Sequence, residues 1–324
     1  MKSYIITGLA LLIGTTAFAQ NNFTVDLNGN SNTANANQTG QNDATIDMSA
    51  RGGNFNTFTI NQNGGNVSRN VVGVATVTVG GSGNTNDRNT ASYTQQGQNN
   101  KTYWDIAGSD NRISSYQDGN DNFSSFFLNG GPKAGYDVGN DNNAININQQ
   151  GLSNHVAGGI NGMSNEVNIT QLGQRNYVLE GRDPATRFNG SGVYITGNSN
   201  RVSIYQQGED NLAQSGQKGN ENRSSTTQNG TYNTSVIMQE GDWNQTSVNQ
   251  RGNNNTSKVK MLGSYNEVDI TQDGDNNTVK GLGGSDMGMI EGSNNRVNIG
   301  QFGTGHTTSL NVFGQSNIIN VTQN

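Results

Sequence analysis

Along most of the chain, small or apolar residues alternate with polar ones in short runs. Ile145 and Ile147, Val167 and Ile169, Val202 and Ile204, Val268 and Ile270, and Val297 and Ile299 are such pairs, with polar residues such as Asn146, Ser203 and Asp269 between them. Period-two alternation is the pattern of a strand with one face in and one face out. Each run opens on an Asn and closes on a Gln six residues later, so the Asn, the two apolar residues and the Gln all point to one side. That side is predicted to be the interior.

The runs are copies of one unit, plainest from Asn244 to Asn255, which reads N-x-φ-x-φ-x-Q-x-G-x-x-N with φ apolar or small. Twelve copies start at Asn32, Asn56, Asn89, Asn111, Asn143, Asn165, Asn200, Asn222, Asn244, Asn266, Asn295 and Asn317, most of them 22 residues apart and the others 22 plus an insertion. A Gln occupies the sixth place of every copy: Gln38, Gln62, Gln95, Gln117, Gln149, Gln171, Gln206, Gln228, Gln250, Gln272, Gln301 and Gln323. Two residues on stands a Gly, at Gly40, Gly64, Gly97, Gly119, Gly151, Gly173, Gly208, Gly230, Gly252, Gly274 and Gly303. A Gly at one slot of a turn marks a backbone position with positive φ or a close neighbour. A second Asn then opens another alternating arm, as in Asn100-x-Thr102-x-Trp104-x-Ile106 and Asn233-x-Ser235-x-Ile237-x-Gln239.

One unit is thus strand, turn, strand, turn, and it buries its apolar face only by stacking on its neighbours. The predicted fold is all-β: a β-solenoid of stacked strand-turn-strand rungs with 22-residue repeats and two facing parallel sheets, cross-β-like in its spacing. Stacking sets each Gln and Asn above its counterpart. Amides carry both donors and an acceptor, so the Gln column is expected to form a structural ladder up the axis, as amides do in cross-β assemblies. The first arm and the last copy show no polar cap, and an uncapped rung offers unpaired backbone groups to another strand; addition of further copies end to end is the expectation.

Four steps exceed 22 residues by seven or more, with the extra length after the Gln turn in or beside the second arm: residues 66–88, 122–142, 176–199 and 277–294. These Gly-rich polar inserts hold both prolines, Pro132 and Pro184, and are expected to line one edge, where loops tolerate insertion. At the start, Lys2, an apolar run from Tyr4 to Ile13 and Ala17-Phe18-Ala19 describe a cleaved secretory signal over residues 1–19. The repeat region is then 20–324, and no other stretch is apolar enough to cross a membrane. The chain has no Cys, which excludes disulfides and a lipid-modified leader cysteine.

Composition narrows the function. The net charge of −6 disfavours nucleic acid, whose phosphates need clustered Lys and Arg. A hydrophobic fraction of 30% with 45 Gly would suit a disordered polar tract, but the strict register argues for folding. His155 and His306 are read as exposed turn residues, short of the ligands zinc would need. Asp118 with Asp121, Glu209 with Asp210, and Asp273 with Asp275 lack calcium-loop spacing and are read as solvated turns. Trp104 is placed in the core and Trp243 on the surface. No carboxylate pair converges as a polysaccharide-cleaving enzyme requires; no catalytic residue, metal or cofactor is expected.

At Gln206-Gly208-Asn211-Ala213-Gln217 the chain resembles the curlins, secreted subunits of curli amyloid fibres, whose repeat reads roughly S-x5-Q-x-G-x2-N-x-A-x3-Q. The Gln-Gly-Asn part of that motif recurs along almost the entire repeat region. The chain departs from it in having Asn for the leading Ser, almost no polar segment before the first repeat, and a second Gln only at Gln217 and Gln239, with Ile106, Leu128, Ile160 or Met261 elsewhere in that slot. The resemblance implies a β-solenoid that polymerises into an extracellular fibre on the bacterial surface, for biofilm matrix and adhesion. It also implies partners: further copies of the chain, a nucleator subunit and an outer-membrane export pore. The alternative is a soluble secreted β-solenoid adhesin or ligand-binding protein.

Overall fold

The computed structural model describes residues 21–27, 29–47, 53–72, 87–106, 108–128, 141–178, 192–283 and 285–324. The segment expected to be a leader, residues 1–19, and the middles of three insertions lie outside them. All regular structure among the described residues is strand, and the chain forms two compact units. Among the described residues the first unit runs up to Ser153 and takes in Gly159–Ser164; the second takes Asn154–Gly158 and Asn165–Asn324.

In the first unit the first arms are Thr33–Gly40, the opening part of Thr57–Val72, the opening part of Thr90–Ile106, Arg112–Asn120 and Ala144–Leu152. They pair in parallel and in register, so that Gln38, Gln62, Gln95, Gln117 and Gln149 fall in one line. The second arms, Asp43–Asp47, residues 67–72, residues 101–106 and Phe123–Leu128, pair the same way. In the second unit, seven first arms from Glu166–Gln174 to Ile318–Gln323 repeat the arrangement. Its second arms include Leu212–Lys218, Thr234–Glu240 and Thr256–Leu262.

The two arms of each rung face one another across a narrow core. Val248, Val268, Ile270, Val297 and Ile299 from first arms pack with Ile237, Val259, Met261, Val279, Ile290 and Val312 from second arms. Three pairs of small hydroxyl residues that replace aliphatic ones bond across the core: Ser115 Oγ lies 3.1 Å from Ser124 Oγ, Ser215 Oγ 2.6 Å from Ser224 Oγ, and Thr226 Oγ1 3.0 Å from Ser235 Oγ. A buried hydroxyl with a partner costs little, whereas an unpaired one costs of order 1–3 kcal/mol. In the first unit Tyr93, Trp104 and Phe126 pack together in the core; Trp104 stacks on Phe126 at 5.5 Å and is 2% exposed.

The insertion at 277–294 is described except for residue 284 and shows how extra chain is tolerated. The second arm stops at Lys280 and resumes at Gly288, with Ser257 opposite Val279 and then Val259 opposite Gly288. Between them a tight loop closes on itself through Gly281 N–H to Ser285 O at 3.1 Å and Ser285 N–H to Leu282 O at 3.2 Å. The ladder partners are unmoved because both cut ends remain in register.

Candidate functional site: the amide ladders

Each first-arm Gln points inward because it lies an even number of residues from the apolar pair. Gln62, Gln95, Gln117 and Gln149 in the first unit, and Gln171, Gln206, Gln228, Gln250, Gln272 and Gln301 in the second, are buried; Gln38 and Gln323 are partly buried. In the first unit the Nε2 of Gln38 donates to Gln62 Oε1, Gln62 to Gln95, Gln95 to Gln117 and Gln117 to Gln149, each at 2.8 Å. In the second unit the chain of bonds runs from Gln171 through Gln206, Gln228, Gln250, Gln272 and Gln301 to Gln323 at 2.8–2.9 Å. The other Nε2 proton goes to a carbonyl on the second arm of the preceding rung, as from Gln149 to Phe123 at 2.9 Å and from Gln228 to Leu212 at 3.0 Å. One amide therefore ties three strands.

The arm-opening Asn residues form a ladder of opposite polarity. Asn56, Asn89, Asn111 and Asn143 each donate both backbone N–H and Nδ2 to Oδ1 of the previous rung's Asn. In the second unit Asn200, Asn222, Asn244, Asn266, Asn295 and Asn317 repeat this, starting from Asn165. A third ladder joins the second-arm Asn residues, as from Asn233 to Asn211 and Asn255 to Asn233. His306 stands where this ladder would have its next Asn. It keeps the backbone bond to Asn277 Oδ1 at 3.0 Å, and its ring Nε2 reaches the Phe302 carbonyl at 2.9 Å, a carbonyl four residues back, as Asn255 Nδ2 does with Arg251 at 3.4 Å.

The turn glycines from Gly40 to Gly303 all have φ between 100° and 130°. At Gly208 a Cβ would lie 2.1 Å from the Gly230 carbonyl oxygen, so neither the φ nor the space admits another residue.

Two turn features escaped the sequence reading. The residue before each arm-opening Asn is left-handed without being Gly, as at Phe55, Arg175, Tyr232, Trp243 and Tyr265, with φ of 51–61°. Its N–H is held by a carbonyl of the preceding rung, as in Trp243 to Asn220 at 3.0 Å, which offsets a conformational cost of roughly 1–2 kcal/mol. The residue two places before the arm-opening Asn forms a further ladder: Asn30 N–H donates to Asn54 Oδ1 at 2.8 Å, Asn54 N–H to Asp87 Oδ1 at 2.7 Å, and Asn220 N–H to Asp242 Oδ1 at 2.7 Å. Its signal in the sequence is the recurrence of Asn, Asp and Ser at that slot.

Of the remaining acidic candidates, Asp118 accepts from Tyr116 Oη on its own strand at 3.3 Å, and four others make rung-to-rung contacts. Asp210 pairs with Arg175 at 2.9 Å, Glu209 with Arg175 at 3.3 Å, and Asp273 with Arg251 at 3.3 Å, while Asp275 accepts the Asn253 N–H at 2.7 Å. The hydrogen bond and charge of Arg175 hold the Asp210 carboxyl below its usual range. His155 opens a strand and is half buried, rather than sitting exposed in a turn, and burial lowers its pKa. Trp243 is half exposed and lies parallel to Tyr265 at 6.2 Å. Gln217 donates to Gln239 at 2.9 Å, a two-member second ladder with Ile195 opposite Gln217 and Met261 opposite Gln239.

Stacked parallel rungs, an interior lined by amide ladders and glycine turns define a parallel β-solenoid. Residues 197–230 and 243–274 match the model of the curlin associated repeat. These two stretches thus carry the curlin associated repeat, and that repeat family is structural, not enzymatic. No curated protein matches it.

Proposed function

We propose that the chain is a secreted subunit that adds end to end into an extracellular curli-type fibre on the bacterial surface, serving biofilm matrix and adhesion. The observation that carries this reading is the repetition of the same inter-rung bonds at every step within each unit. A rung surface made of Gln Nε2, Asn Oδ1 and backbone groups accepts any rung of the same pattern, whichever chain supplies it. An incoming copy, unfolded during export, pairs a rung with such a surface and folds against it; extension of the ladders and burial of the edge drive addition. A nucleator subunit would supply the first surface, and an outer-membrane pore would deliver the chain.

Seeded growth of residues 20–324 tests this. Thioflavin-positive fibres whose growth is accelerated by preformed seeds, with a reflection near 4.7–4.8 Å, are expected. A stable monomer indifferent to seeds would overturn the proposal and favour a soluble binding protein.

A further inference from the structure

The outer face of the first arms differs sharply between the two units. In the second unit it is laced with charge: Glu166 pairs with Arg201 at 2.6 Å, Arg296 with Glu267 at 3.5 Å and Arg251 with Asp273, and Asp269 sits among them. In the first unit the four outward positions of each first arm are Thr33, Asn35, Asn37 and Thr39, then Thr57, Thr59, Asn61 and Asn63, then Thr90, Ser92, Thr94 and Gln96. The next two rungs add Ser114, Tyr116, Ala144, Asn146, Asn148 and Gln150, and only Arg112 and Asp118, of opposite sign and in one rung, carry charge. All of these side chains are at least partly exposed. The second arms of this same unit present Asp43, Lys101, Phe123 and the 46% exposed Phe127 instead.

We infer that the hydroxyl and amide face of the first unit is a lateral interface that binds the same face of a second copy of this chain. Hydroxyl and amide groups each donate and accept, so a lattice of them is complementary to itself, as a two-fold interface requires; a face of one charge sign is not. The chain as a whole is net negative at −6, so two copies repel unless they meet across a neutral surface. Five rungs about 4.8 Å apart, with strands near 26 Å long, present roughly 600 Å². That is below the approximately 800 Å² per partner of a stable complex. Single chains therefore pair weakly, and copies aligned along a filament pair firmly through many weak contacts.

The test compares the whole chain with Thr59→Asp/Thr94→Asp and Thr59→Asn/Thr94→Asn variants. The two variants have side chains of the same shape and differ in charge. Filament widths by negative-stain electron microscopy are expected to show paired filaments for the wild type and the Asn variant. The Asp variant is expected to give single filaments at an unchanged seeded elongation rate, and its pairing to return in high salt as the charges are screened. Widths that do not differ between Asp and Asn variants, or a wild type that is never paired, would overturn the inference. The width readout rests on the end-to-end reading. Should no filament form, sedimentation velocity decides separately: a weak, concentration-dependent dimer lost in the Asp variant supports the interface, and a strict monomer at every concentration overturns it.

Discussion

At the scale of single residues, the buried amide is the unit of stability. Gln228 donates to Gln250 Oε1 and to the Leu212 carbonyl and accepts from Gln206 Nε2. Removing it strands all three groups in a core where water cannot replace it. Gln228→Ala is therefore expected to cost about 3 kcal/mol or more, since each orphaned buried group costs roughly 1–3 kcal/mol. Hydrogen exchange should speed most in the strands around residues 206–250; a loss under about 1 kcal/mol would mean the column is not holding the rungs. Gln217, by contrast, has an Oε1 that accepts no bond because Ile195 lies opposite it. The same residue type thus has a different role one strand away, and only the neighbouring rung decides which.

At the scale of the rung, the turn is the least forgiving element. Stacked turn backbones approach so closely that a Cβ on Gly208 meets the Gly230 carbonyl, and Gly230 is confined in turn by Gly252 at 2.0 Å. Neither rung can give way without shifting the next. Gly208→Ala should lower stability by about 3 kcal/mol or more, by the overpacking and φ penalties together. Gly283→Ala, in the inserted loop, meets nothing within 4 Å although its φ is +67°. It should cost only about 1–2 kcal/mol. Denaturation midpoints of the two variants check the contrast, and equal losses would refute the close-packing account. Strand alternation and turn Gly were legible because both are local, periodic constraints. The left-handed Trp243 and Tyr265 were not, since nothing in a single turn shows that a neighbouring carbonyl holds the N–H.

At the scale of the whole molecule, charge opposes association. The chain carries −6 near neutrality, and net charge keeps like chains apart. Carboxylates take up protons as pH falls toward about 4–5, so the repulsion shrinks. Seeded elongation under the proposed function is expected to speed several-fold between pH 7 and pH 5 at low salt, and the gain should disappear at high salt. A rate that falls over this range would show that ion pairs such as Arg175–Asp210 matter more to growth than net repulsion.

The sequence by itself determined the strand periodicity, the 22-residue repeat, which residues point inward and where turns must bend, because each follows from the two-residue pleat and the backbone freedom of Gly. It also carried the curlin repeat, since that motif is a pattern of residue types at fixed offsets. The tertiary structure alone decided the opposite polarity of the Gln and Asn ladders, the added ladder two residues before the arm-opening Asn, and the partners that offset left-handed turn residues. It likewise separated the neutral first-arm face of one unit from the charged face of the other. These depend on which rung lies above which and at what distance, and a one-dimensional pattern fixes spacing along the chain while contacts between rungs form across it.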